Sequence, residues 1–189
     1  KIEAASQKTA ANSEIITDSL QDIRRGFNSL TKSGGIIQNP KKPEQFYHNA
    51  RIYELSGDYL NARKSYNAYF SFGLNFLDPH LRFQTFLKVQ EGREGALEIY
   101  SYMYQSKPIM IMDFSRTLLF NETLRLKALK SFTERYPDFA PAYYELSKEF
   151  SEIRKGVQSN EDKVNEKNSL NKFQELVTKG NFLKYFFDN

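Results

Sequence analysis

Alanine stands at positions 62 and 96, and tyrosine at 66 and 100, so a small residue followed four positions later by an aromatic one returns after 34 residues. A fixed offset of this length marks a chain built from stacked supersecondary units, each of which buries its apolar face on a neighbour. No other feature restricts the fold so strongly. The chain has 189 residues, 40% of them hydrophobic, with 16 Phe, 12 Tyr and no Trp. That is enough apolar material for one domain or one short solenoid. Tyrosine also suits thin helical layers, where one ring edge is buried and the other wet.

The densest pattern is Phe46, Ala50, Tyr53, Leu55, Gly57, Tyr59, Ala62 and Tyr66. It resembles the tetratricopeptide repeat, a helix–turn–helix unit of 34 residues. The resemblance covers residues 43–180 and becomes degenerate after the second unit. It implies an all-α superhelix of helical hairpins, with Ala50 and Ala62 where two helices cross and Gly57 where the chain reverses. In the second unit, His80, Gln84 and Leu87 occupy the first-helix places over about 79–90. Glu91-Gly92-Arg93-Glu94 forms the turn, and Pro108 ends the unit. A third unit has Met112, Arg116 and Leu119 over about 109–121, then Ala128, Phe132 and Tyr136-Pro137. Its offset shrinks to 32 residues between Ala96 and Ala128. Tyr143, Leu146, Ser147 and Phe150 open a fourth unit.

Around these repeats the expected organisation is a long N-terminal helix over 1–35, a linker over 36–42, repeats over 43–155, a polar loop over 156–168 and a capping helix with tail over 169–189. Ile16, Leu20, Ile23, Phe27 and Leu30 alternate spacings of four and three, a two-heptad seam. The seam suits an N-terminal cap or, alternatively, a homodimer through residues 16–30. Phe182, Leu183, Tyr185 and Phe186 make a last apolar patch, which should be packed.

Chemistry is sparse. There is no Cys, which excludes disulfides and thiolate sites in this sequence. His48 and His80 stand outside any metal-binding motif, and neither Ser147 nor Ser151 has a nearby His to activate it. Glu149 and Glu152 fall on a face expected to be solvated. Phosphate-binding glycine loops are missing, and Asn121-Glu122-Thr123 is a short glycosylation sequon of the kind that arises by chance. The formal net charge is +4, with basic pairs at Arg24-Arg25 and Lys41-Lys42 and no longer basic run, so no nucleic-acid footprint is expected.

The reading is therefore a non-catalytic scaffold for a protein or peptide partner, without cofactor or metal. The resemblance implies a concave groove lined by Tyr47, Arg51, Glu54, Leu81, Thr85, Lys88, Thr117, Phe120, Tyr144 and Lys148. Such a groove suits a peptide with an acidic group and an apolar anchor. A chaperone-tail clamp is not expected, because Tyr47 and Arg51 replace its Lys and Asn, and Met110 and Phe114 replace later basic residues. A self-associating, membrane-tethered module and a regulatory domain of a larger protein are the alternatives. The chain begins at Lys1 rather than Met, so the expectation is an excised or processed piece. A bacterial envelope setting is favoured, with the cytoplasm as the alternative.

Overall fold

The computed structural model describes residues 34–151, 158–180 and 185. The expected N-terminal helix and its seam over 16–30 lie outside the described residues, as do most of the C-terminal patch and residues 152–157. Among the described residues there are seven helices and no strand, so the protein is all-helical. They fall into two compact units, divided between Leu74 and Asn75.

The first unit is a helical hairpin of α1 (Pro43–Leu55) and α2 (Tyr59–Ser71). Pro43 opens α1, where its fixed φ suits the first turn and its missing N–H costs nothing. Gln45 Oε1 accepts the amides of Lys41 and Lys42, closing that end. Gly57 has φ 79°, the left-handed conformation that reverses the chain within three residues. Asp58 then caps α2 by accepting the Asn61 amide at 3.2 Å. Ala50 and Ala62 are fully buried, so the two helices approach where only a methyl group intervenes. Ahead of α1 a strap over 35–37 is tied down by side chains. Asn49 donates to the Ile37 carbonyl and accepts its amide, both at 2.8 Å, and His48 Nε2 lies 3.2 Å from the Gly35 carbonyl.

The second unit continues with α3 (Leu77–Ser106), α4 (Met110–Thr117), α5 (Glu122–Arg135), α6 (Ala140–Ser151) and α7 (Asn160–Thr178). Consecutive helices pack on one another along this series. Within α3, Gly92 breaks the helix axis with φ 73° and ψ 178°. That conformation is essentially restricted to glycine. The turn expected over Glu91–Glu94 is thus a single-residue break, and α3 is itself a hairpin of arms 77–91 and 93–106.

A common plan runs through all four hairpins. Each second helix carries a small residue and, four positions on, an aromatic one: Ala62 and Tyr66, Ala96 and Tyr100, Ala128 and Phe132, Ser169 and Phe173. All four aromatic side chains are buried. Each ring sits beside a ring from its own first helix: Tyr47 at 6.1 Å, Phe83 at 6.0 Å, Phe114 at 5.3 Å and Tyr144 at 5.4 Å between centroids. Such pairs contribute about 0.5–1.5 kcal/mol beyond area burial. The spacing from first-helix to second-helix crossing position is twelve in the first three hairpins, at 50/62, 84/96 and 116/128. In the fourth it stretches to 22, at 147/169.

That stretch explains a difference from the expected organisation. Residues 160–168 were expected to form part of a polar loop, but they are the first turns of α7. Ser159 accepts the Asp162 amide at 3.0 Å, and Asp162 accepts the Ser159 amide in return. This reciprocal capping box starts a helix whose first turns have almost no apolar stripe, Phe173 and Leu176 being buried further along. The expected first helix over 109–121 is also shorter, ending at Thr117 before a turn. From the C-terminal patch, Tyr185 packs edge-on against Phe139 at 4.6 Å.

Candidate binding surfaces

In the first unit, Tyr47 and Arg51 are interior residues and Glu54 is half-buried. Tyr66 donates its hydroxyl to Glu54 Oε2 at 2.7 Å, and Arg51 Nη1 is paired with the same carboxylate and 3.4 Å from the Tyr66 hydroxyl. Burial raises the Tyr66 pKa above its ordinary value, so the phenol stays protonated and donates. Burial alone would lower the Arg51 pKa, but Tyr66 and Glu54 more than offset it and hold the guanidinium above its usual range. These groups lock α1 to α2. The sequence places Tyr47 and Arg51 in a groove; the structure places them in the core, where a ligand would have to displace this network.

In the second unit, Leu81 is half-buried, while Thr85 and Lys88 on the same face are exposed. The Thr85 hydroxyl donates to the Leu81 carbonyl one turn earlier. Thr117 is buried and donates to the Asp113 carbonyl at 2.8 Å, so it too is a core residue rather than a groove residue. Phe120 and Tyr144 are half-buried, and Lys148 is exposed over the Tyr144 ring, with its Nζ 2.7 Å from Glu145. Lys88 and Lys148 therefore remain the cations best placed to meet a partner, with Thr85 beside the first.

Gln84, Arg93 and Arg125, none of them expected from the sequence as a partner of main-chain carbonyls, govern the surroundings of Phe120. Helix α4 has only eight residues, so much of its carbonyl end lacks intrahelical partners. Gln84 donates to the Ser115 carbonyl. Arg93 donates to the Leu119 carbonyl at 2.9 Å and to that of Phe120, and Arg125 reaches the Phe120 carbonyl at 3.4 Å. Cations at a helix C-terminus also complement its dipole. Arg125 is paired with the buried Glu149, so that carboxylate is not on a solvated face as the sequence suggests. Arg116 lies 4.4 Å from the Tyr104 ring centre and 5.7 Å from that of Phe120. Both Arg116, at 2.9 Å, and Arg135, at 2.8 Å, bind the buried Asp113. Apart from the i,i+3 pair of Asp113 and Arg116, no local pattern signals these contacts, because the partners lie as many as 31 residues apart.

His80 is fully enclosed, and its Nδ1 is 3.2 Å from the Tyr100 hydroxyl, which donates to the His80 carbonyl at 3.0 Å. Since that hydroxyl has one proton and gives it to the carbonyl, Nδ1 is the donor of the other bond. Burial lowers the imidazole pKa to about 3, so it is neutral at ordinary pH. Among the described residues no cluster of His, Cys, Asp or Glu could hold a metal ion, and no helix is long and apolar enough to cross a membrane.

These features define a class of protein: an all-helical chain of consecutive hairpins with aromatic-lined crossings. Comparison with known proteins adds nothing to that description, since no family model, curated protein or solved structure matches the chain.

Proposed function

We propose that the protein is a non-catalytic scaffold of tetratricopeptide-like hairpins that binds a protein or peptide partner. One observation carries this reading: the small-x3-aromatic pair in every second helix, each with a ring from its own first helix beside it. Within the second unit, three repetitions of one helix-pair design favour a stacked array, whose first helices present a shared surface. Thr85, Lys88 and Lys148 supply exposed polar contacts on those helices, with Leu81, Phe120 and Tyr144 as half-buried apolar neighbours. Such a surface suits a peptide with an acidic group and an apolar anchor.

Selection from a displayed random-peptide library tests the reading. Enriched peptides should share acidic and apolar positions, and K88E or K148E should weaken their binding about tenfold, or ~1.4 kcal/mol. Failure to enrich any peptide above a blank surface, or binding indifferent to both variants, would refute it.

A further inference from the structure

The first unit contains a cleft of about 340 Å³ between the strap ahead of α1, α1 itself and α2. That volume lies within the range of small-ligand sites. Ile36 from the strap, Phe46 from α1 and Ala68 from α2 supply an apolar lining. Tyr53, Lys64 and Ser65 supply polar groups. Two parts of the lining are tied by side-chain hydrogen bonds. Asn49 pins the strap through its two bonds to Ile37, and Asn61 is held by Asp58 at 2.8 Å.

The charge of this lining is one-sided. Among the described residues, Lys64 is the only ionised one lining the cleft, and no carboxylate lines it. The positions three and four away on α2 are Leu60, Asn61, Asn67 and Ala68, none acidic, so no helical neighbour neutralises the ammonium. Among the described residues, the Tyr53 and Ser65 hydroxyls and the Lys64 ammonium make no intramolecular hydrogen bond, leaving two hydroxyls and a cation beside an apolar wall. Lys64 is exposed, so its ammonium stays hydrated at the cleft rim, where a carboxylate would gain an ion pair and a cationic ligand would be repelled.

We propose that this cleft binds a small organic acid with a branched or ring-shaped apolar body, its carboxylate meeting Lys64 and its body lying against Ile36 and Phe46. The same chemistry is available from a free acid or from the C-terminal residue of a peptide. The site shares no residue with the proposed groove and does not depend on it.

Titration of isotope-labelled protein with 4-methylpentanoate, followed by NMR, tests the proposal. Saturable shifts should appear at the Ile36 and Ile37 methyl groups and at the Lys64 and Ser65 amides, with a dissociation constant in the millimolar range or tighter. The neutral 4-methylpentanamide should bind at least fivefold more weakly. Lys64→Gln should lose the preference for the acid, and Lys64→Arg should retain it. A parallel arm uses acetyl-glycyl-leucine with a free C-terminus: tighter binding than the free acid identifies a peptide end as the natural source, and weaker binding identifies a free acid. No saturable shift with either carboxylate, equal binding of acid and amide, or an unchanged preference in Lys64→Gln would each overturn the proposal.

Discussion

Mild acid should destabilise the second unit through His80. In the unfolded chain this imidazole titrates near 6.5; folded, burial lowers its pKa to about 3. Between those values the unfolded state binds a proton that the native state refuses, so stability falls as pH drops through the window. At pH 5, about 1.5 units below the unfolded pKa, the unfolded state gains about 2 kcal/mol, from ~1.36 kcal/mol per unit. The loss approaches about 5 kcal/mol near pH 3, where the folded imidazole also becomes protonated. Urea unfolding followed by circular dichroism at pH 7 and pH 5 measures this, with His80→Phe as the control. The substitution removes the titrating ring but keeps the His80 main-chain carbonyl that accepts the Tyr100 hydroxyl. Its own cost is irrelevant, because the quantity read is the change between the two pH values. The unsubstituted protein should lose about 2 kcal/mol more than the variant. Equal losses would show that the imidazole is hydrated or protonated in the folded state, and the argument from burial would fail.

Ala62→Leu and Ala96→Leu should each destabilise by roughly 1–3 kcal/mol through overpacking, while the half-buried Ala128 should tolerate the same change better; melting temperatures check this, and unchanged melting in the first two would refute the crossing points. Gly92→Ala should cost about 1–3 kcal/mol from backbone strain alone, since an added methyl meets nothing within 4 Å. Urea unfolding gives the value, and a neutral result would place the break elsewhere. Ser159→Ala should cost about 1 kcal/mol and accelerate amide exchange over residues 160–168 before the rest of α7.

Much of the hairpin plan is legible in the sequence, because residue type and spacing follow from one contact. Ala62, Ala96, Tyr66 and Tyr100 are small or aromatic where helices cross, and all four are fully buried. First helices are harder to read. Gln84 stands at a small-residue place because its amide serves the Ser115 carbonyl, and Arg116 stands at another because Asp113 and two rings hold it. The Gln84 and Tyr104 contacts are long-range and leave no mark in a local window, and the Asp113–Arg116 pair, though local, does not by itself signal burial. The start of α7 was readable only from Ser159 and Asp162, since polarity concealed a helix that relies on its cap. Assigning the groove by helical face failed for Tyr47, Arg51 and Thr117. Polar type suggests solvent for Arg51 and Thr117, whereas their hydrogen-bond partners lie within the fold.

The two tyrosine hairpins and the two phenylalanine hairpins differ by one oxygen, and that atom carries information about assembly. Chains of look-alike modules risk pairing a helix with the wrong companion as they fold. Tyr66 finds its acceptor on Glu54, and Tyr100 finds its own on the His80 carbonyl. Seated on a foreign helix, either hydroxyl would be sealed from water with nothing to accept it, a penalty of about 1–3 kcal/mol. Phe132 and Phe173 have no such oxygen, so shape alone must direct their docking. The crossing rings of the earlier hairpins thus carry an address that those of the later ones lack, the third hairpin being keyed instead by the Asp113–Arg135 ion pair.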